Sequence, residues 1–308
     1  MLFFLLSYII LFILDYLLAL VGILIGIAFF TLVERKLLAY IHFRKGPTKV
    51  FYFGIFQPIS DAIKLFSKGF LKGEKFQFYL YLIGPFLGLL LISILWRVYI
   101  SFFGIHGRFF SFLYVFSFIR LGIYFLLFCC WGRNRKYSLL GGYRSISQTV
   151  SYEVSLIFFV LTFIWILSSY DLFIFLCYQI GFPFLFIRIV YFFSWIFIIL
   201  AERNRTPFDF SESESELVSG FNIEYGGGIF SLIFISEYGI ILFLRFLTIC
   251  IFIGSKGFTF KLFLLGLLFI WIRCCFPRYR YDLLIYRAWK VILPFSLGML
   301  VLFTILFF

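Results

Sequence analysis

Residues 201–225 read AERNRTPFDFSESESELVSGFNIEY and lie between two long apolar runs, 182–200 and 229–252. The segment carries six of the fourteen acidic residues of the chain but only two basic ones. The six acids are Glu202, Asp209, Glu212, Glu214, Glu216 and Glu224. A loop that had only to be soluble would not concentrate carboxylates beside membrane-length segments. We therefore expect chemistry in this acidic loop, residues 201–228.

The composition of the whole chain is that of a membrane protein. Hydrophobic residues make up 64% of 308 positions and charged residues 13%, against about a quarter charged in globular domains. Apolar runs of 18 or more recur, and about 20 helical residues cross a bilayer core. Because lipid-exposed backbone must bond within its own segment, the expected fold is an all-α polytopic membrane protein.

We predict about eight transmembrane helices in a single domain, residues 1–308. The spans are 2–32, 78–99, 109–131, 153–169, 182–200, 229–253, 258–275 and 288–308. The first span is long enough that it must tilt strongly or protrude. The residues between the third and fourth spans are expected to form a loop with a turn at Gly141 and Gly142. The residues between the seventh and eighth spans are expected to form a basic, aromatic loop.

The basic residues are distributed very unevenly over the loops. Twenty of the 27 Lys and Arg lie in or beside the loops that follow spans one, three, five and seven. The positive-inside rule places these loops on the cytoplasmic or matrix side and both termini on the opposite side. A net charge of +13 could suggest nucleic acid, but no nucleic-acid-binding motif accompanies it, so we expect no such partner.

The first loop, residues 34–75, is predicted to contain an amphipathic helix. Apolar residues recur at three- and four-residue spacing from Ile55 to Phe66, while Asp61 and Lys64 lie on the polar face. Such a helix lies in the membrane interface or under a partner. Two interpretations stay open, a simple surface anchor and a docking platform for a soluble subunit.

Glu153 and Glu237 interrupt apolar helical sequence. An ionised side chain deep in a bilayer costs roughly 2.5–3.5 kcal/mol on insertion scales, so such groups normally face a hydrated interior or pair with a cation. They could pass protons, or they could be paired for packing with Arg120 or Arg245. The chain encodes no redox centre: two His, six Cys without a CxxC pair, and no metal-ligand spacing. Any electron must therefore come from a partner.

Five segments carry a resemblance to a known family. They are ERKLLAYIHFRKGPTKV, FQPISDAIKLFSK, SISQTVSYEV, the acidic segment quoted above, and WIRCCFPRYRYDLLIYRAWKVILP. Together they closely resemble the mitochondrial NADH dehydrogenase subunit 1 family, which has an equivalent in bacterial complex I. The resemblance runs nearly the full length, in order. One departure is Arg203, since the family commonly has ETNRTP where this chain has ERNRTP.

The resemblance implies a membrane-arm subunit of a proton-pumping NADH:ubiquinone oxidoreductase in the mitochondrial inner membrane. Ubiquinone is then a substrate, while NADH, FMN and the iron–sulfur clusters belong to partner subunits. The partners implied are the two peripheral-arm quinone-site subunits, the small and antiporter-like membrane-arm subunits, and phospholipid. The charged loops would face the matrix, and both termini would face the intermembrane space.

The resemblance also assigns residues. Those that would line the quinone tunnel are Arg35, Arg44, Asp209, Phe234, Tyr238 and Arg273. Those that would form an acidic proton route are Glu153, Glu202, Glu212, Glu214, Glu216, Glu224 and Glu237. Three other functions remain open at this point: a stand-alone proton or ion transporter, a structural anchor for the peripheral arm, and a related component of a membrane-bound hydrogenase.

Overall fold

The computed structural model describes residues 2–69, 76–99, 110–181, 183–187, 189–210, 220–222 and 225–307. Within these residues the chain is helical. The helices are α1 (Leu2–Ile41), α2 (Gln57–Ser67), α3 (Phe78–Leu95), α4 (Ser111–Arg133), α5 (Lys136–Leu167), α6 (Leu172–Tyr178), α7 (Phe184–Ile187), α8 (Ile189–Glu202), α9 (Gly227–Thr248), α10 (Phe258–Cys275), α11 (Tyr281–Arg287) and α12 (Leu293–Phe307). Single π-helical turns extend α9 over Ile249–Ile253 and join α11 to α12 over Ala288–Ile292.

The prediction of about eight membrane helices is confirmed. Seven helices in the described part of the chain are long and apolar enough to cross a membrane, and the shorter apolar α8 accompanies them. The first helix spans 40 residues, about 60 Å at 1.5 Å per residue, which is twice the thickness of a bilayer core. It continues to Ile41 rather than ending at residue 32, so Glu34 and Arg35 are helical.

The predicted loop between the third and fourth spans is wrong. Helix α4 ends at Arg133 and α5 begins at Lys136, so that Asn134, with φ 50°, makes the turn. Gly141 and Gly142 lie inside α5, and a Cβ atom built at Gly142 would lie 2.0 Å from Cys130 Sγ. Gly142 therefore permits close packing of α5 against α4, a role that small residues commonly have in membranes.

The core lies around α5, α8 and α9. Trp195, Phe159 and Phe243 are fully buried there, whereas α1 and the exposed faces of α3 and α4 leave many large apolar residues uncovered. The predicted loop between the seventh and eighth spans is also partly helical. The eighth span is predicted to begin at residue 288, but helix α11 already begins at Tyr281. The predicted amphipathic helix in the first loop is present as α2, with Ile59, Ile63 and Phe66 exposed on its apolar face.

Candidate functional site

A buried carboxylate joins three helices at the centre of the candidate site. Glu34 of α1 is 7% exposed. Its Oε2 accepts a hydrogen bond of 2.7 Å from the phenol of Tyr238 on α9, and its Oε1 forms an ion pair with Nη1 of Arg273 on α10. Arg205 completes the group, because its Nη1 donates to the Tyr238 hydroxyl at 3.3 Å while its guanidinium lies 4.3 Å from the centre of that ring.

This group lies beside a largely apolar cavity, here called the aromatic cavity. Its lining residues are Phe30, Glu34, Ile199, Leu200, Arg203, Arg205, Thr206, Tyr238, Ile241, Phe269, Ile270 and Arg273. Phe234 packs against Tyr238 with ring centres 4.7 Å apart. The wall thus combines aromatic and aliphatic surface with one carboxylate and three guanidinium groups. The chemistry of this wall suits an amphiphilic molecule with a polar head and an apolar tail, but the volume of about 30 Å³ admits such a molecule only if the lining side chains move apart.

A second cavity contains the three acids of the predicted proton route that the structure describes. Its volume is about 50 Å³. Its lining residues are Ile119, Gly122, Ile123, Phe125, Leu126, Thr149, Glu153, Glu202, Arg203, Asn204, Arg205, Glu237 and Ile240. A single water molecule needs roughly 10–15 Å³, so this carboxylate cavity has room for several. Glu212, Glu214, Glu216 and Glu224 lie outside the described residues.

Each described acid of that cavity has its own surroundings. Glu153, on α5, forms an ion pair with Arg120, whose Nε lies 3.1 Å from Glu153 Oε1. Arg120 is one of the two cations considered above as packing partners for the acids within the helices. Glu202, at the end of α8, is 3% exposed and pairs with Nη2 of Arg203 at 2.6 Å. Arg203, the residue at which this chain departs from the family pattern, therefore forms an ion pair with one of these carboxylates, Glu202. Glu237 lies half-buried on α9.

The turn that carries Arg203 and Arg205 is held from two sides. The amide of Gln148, fully buried on α5, donates to the carbonyl oxygens of Ala201 at 2.7 Å and Phe208 at 2.9 Å. The backbone N–H of Tyr279 donates to the carbonyl oxygen of Pro207 at 3.0 Å, and its ring stacks on Phe208. Two cations are thereby fixed between the two cavities, and both line each of them.

The remaining predicted site residues lie away from the aromatic cavity. Arg35 pairs with Asp61 of α2 at 2.5 Å, and both side chains are partly exposed. Arg44 and Lys64 are exposed. Asp209 lies 3.9 Å from Arg278. The structure therefore brings Tyr238 and Arg273 together at the cavity, with Phe234 packed behind Tyr238. It places Arg35, Asp61 and Lys64 on a separate, partly exposed surface.

Sequence reasoning missed Glu34 as a site residue. The predicted first loop begins at this residue, whereas in the structure Glu34 lies inside α1. A signal was present, since Ile27, Phe30 and Glu34 follow at three- and four-residue spacing and so share one helix face. Ile27 and Glu34 are both buried.

Comparisons with known proteins identify the family of the chain. The model of a family described as NADH dehydrogenase matches residues 14–304. The chain is 42% identical over 300 residues to NADH-ubiquinone oxidoreductase chain 1 of Aedes aegypti, covering 94% of this chain and 96% of that protein. It is 44% identical to chain 1 of Locusta migratoria, with 96% and 97% covered. It is 40% identical to chain 1 of Paracentrotus lividus, with 94% and 93% covered. The chain belongs to the NADH dehydrogenase family, in the group whose members are named NADH-ubiquinone oxidoreductase chain 1.

Proposed function

We propose that the chain is the membrane subunit that forms part of the ubiquinone path in a proton-pumping NADH:ubiquinone oxidoreductase, and that it links this path to proton translocation. The observation that carries the proposal is that Arg203 and Arg205 line both the aromatic cavity and the carboxylate cavity. A change of charge in one cavity acts directly on cations that also face the other.

The aromatic cavity supplies the chemistry expected of a quinone path. The isoprenoid tail needs apolar surface, which Phe30, Ile241 and Phe269 provide. The head carries two carbonyl oxygens that accept hydrogen bonds, and the guanidinium groups of Arg205 and Arg273 are donors of that kind. The chain contributes positioning and charge, while electrons arrive from clusters on a peripheral-arm partner.

The link to the carboxylates runs through a short series of contacts. The Tyr238 hydroxyl donates a hydrogen bond to Glu34 and accepts one from Arg205. Arg205 in turn lines the cavity that contains Glu153, Glu202 and Glu237. A negative charge that appears on a reduced quinone would compete with Glu34 for these cations. Because charges interact strongly in a poorly solvated interior, the neighbouring carboxylates would then change their proton occupancy.

The same arrangement supports a placement of the chain in the complex. We propose the mitochondrial inner membrane as the location, with the first loop and the acidic loop on the matrix side under the peripheral arm. The exposed apolar face of α2, together with the exposed charges of Arg35 and Lys64 beside it, supports a docking role for the first loop. The partners are then the quinone-site subunits of that arm and the adjacent membrane-arm subunits.

Arg273→Gln tests the quinone assignment. The glutamine cannot form the ion pair with Glu34, so we expect a raised KM for ubiquinone and a quinone reductase rate reduced by at least about tenfold. Arg280→Gln is the matched control, because Arg280 is 80% exposed and pairs only with the exposed Asp282 in the described structure. Undiminished quinone reduction in the Arg273 variant would contradict the proposal.

A further inference from the structure

One buried cation, Arg133, lies outside both cavities in a cage of three aromatic rings. Arg133, the last residue of α4, is 0% exposed. Its guanidinium carbon lies 4.3 Å from the ring centre of Tyr225, 4.6 Å from that of Phe76 and 4.8 Å from that of Tyr81. All three distances are within the roughly 6 Å over which a cation is attracted to a ring face.

The rings of the cage form a continuous stack. Tyr81 is almost parallel to Tyr225, with centres 4.7 Å apart and 8° between the planes, and almost parallel to Phe76 at 5.4 Å and 12°. The Tyr225 hydroxyl donates to the carbonyl oxygen of Cys129 at 3.0 Å. Burial raises the pKa of the Tyr225 phenol well above its ordinary value, so that it remains a neutral donor.

The three rings come from different parts of the chain. Phe76 directly follows the first loop, Tyr225 lies near the end of the acidic loop, and Tyr81 lies in the first turn of α3. Arg133 therefore contacts the end of both long loops at the points where they return to spanning helices. One buried side chain thus joins the two loop ends.

A neighbouring contact brings the same two loops together. Gly227, which follows Tyr225 closely, has φ +61°, and a Cβ atom there would lie 2.6 Å from the carbonyl oxygen of Lys68 at the end of α2. A Cβ atom at Gly228 would lie 3.2 Å from the ring of Phe66. Only glycine permits this approach of backbone to backbone, so the amphipathic helix is seated against the start of α9.

We propose that Arg133 is a positioning residue that fixes the end of the acidic loop to the end of the first loop, so that docking at the first loop sets the placement of residues 225–228, where the acidic loop joins α9. This inference rests on the proposed function, because it assigns the acidic loop a part in proton transfer. Arg133 lines neither cavity, and it acts through Tyr225 and Phe76.

The chemistry of the cage requires a planar cation. Methionine can replace the aliphatic stem of Arg133, but it is shorter and has no charge, so it would lose both the contact with the ring faces and the attraction to them. Lysine keeps the charge as a compact point on a flexible stem, without the flat surface that stacks on rings. We therefore expect the end of the acidic loop to be held most firmly in the native chain, less firmly in Arg133→Lys and least firmly in Arg133→Met.

The test measures both loop motion and coupling in membranes that contain the assembled complex. We expect Arg133→Met to increase amide hydrogen exchange of the backbone at 225–230 by about tenfold. We also expect fewer protons per NADH oxidised, with the KM for ubiquinone unchanged and with partial rescue in Arg133→Lys. Arg135→Met is the control, because Arg135 is exposed two residues further along the chain.

Phe76→Leu gives a second measurement that avoids removing a buried charge. The substitution is made next to the first loop, while the exchange is read at 225–230, next to the acidic loop. Faster exchange there supports transmission between the loops. Unchanged exchange in both Phe76→Leu and Arg133→Met, or normal proton stoichiometry in Arg133→Met, overturns the proposal. Neither result would alter the outcome of Arg273→Gln, so the two proposals fail separately.

Discussion

The phenol of Tyr238 donates a 2.7 Å hydrogen bond to the carboxylate of Glu34, a residue 204 positions earlier in the chain. The same carboxylate pairs with Arg273, so one acidic group connects α1, α9 and α10. A charge buried inside a membrane helix is expensive unless it is paired and hydrogen-bonded, and here both conditions are met. The first helix is thereby attached to the bundle at the side of the aromatic cavity.

Tyr238→Phe removes the hydroxyl and keeps the ring. Glu34 loses a donor and Arg205 loses an acceptor, and we expect the complex to lose about 1–2 kcal/mol of stability. We also expect slower quinone reduction, because the two charged partners are no longer held in position at the cavity wall. Thermal unfolding of the purified complex and NADH:ubiquinone activity are the measurements.

Tyr81→Phe is the control for that experiment. The Tyr81 hydroxyl is buried and has no hydrogen-bond partner within the described residues, so its removal should leave stability unchanged or slightly improved. Equal losses in the Tyr81 and Tyr238 variants would show that the Tyr238–Glu34 bond has no special importance.

Arg203 and Glu202 should behave as a coupled pair. Glu202 is buried and Arg203 is its cation at 2.6 Å, so Arg203→Met leaves a buried carboxylate without that partner. We expect a stability loss of up to about 3 kcal/mol, at the lower end for buried pairs because Arg203 keeps some solvent contact. Glu202→Gln in the same chain should restore most of it.

A double-mutant cycle on these two positions measures the interaction directly. Coupling of about 1 kcal/mol or more is the predicted result. Additive losses would mean that the two side chains act independently, and that the cation at position 203 has no effect on the carboxylate beside it.

Arg245 offers a different kind of test, because it forms no ion pair with a carboxylate in the described part of the chain. It is 1% exposed, its guanidinium lies 3.8 Å from the centre of the Phe30 ring, and its Nη2 has no hydrogen-bond partner among the described residues. We therefore expect Arg245→Met to be neutral or stabilising, by up to about 3 kcal/mol.

Gly266 provides the matching substitution. A Cβ atom there would lie 2.6 Å from Nη1 of Arg245, so Gly266→Ala must displace the end of that side chain and should cost about 1 kcal/mol in the native chain. The cost should largely disappear when Arg245 is methionine. A loss of equal size in both backgrounds, measured by thermal unfolding, would refute the close approach of the Arg245 guanidinium to Gly266.

The sequence could predict the elements that follow from hydrophobic length. Membrane spans are set by runs of apolar residues, and the amphipathic pattern of α2 is visible in its three- and four-residue spacing. Helix ends were less predictable. The segment 136–152 contains Ser, Gly, Arg and Gln, which suggests a loop, yet it is helical and its small residues allow close packing against α4.

The site was predictable where a residue type is unusual in its surroundings. Glu153 and Glu237 stand out because charge is rare within apolar helices. Glu34 and Arg133 did not stand out, since each lies at the edge of a span, where charged residues are common. The partner of Glu34 is Tyr238, 204 positions away, and a partner of Arg133 is Tyr225, 92 positions away. Contacts between such distant positions have no local signal in the sequence.

Proton transfer by the carboxylate cavity in response to quinone reduction is tested most directly by counting protons. The measurement is the number of protons translocated per NADH oxidised in membranes that carry Glu153→Gln or Glu237→Gln, with Asp282→Asn as an exposed control. We predict a reduced ratio in the two cavity variants and a normal ratio in the control. A normal ratio in both cavity variants, at full quinone reductase activity, would contradict a role for this cavity in proton transfer.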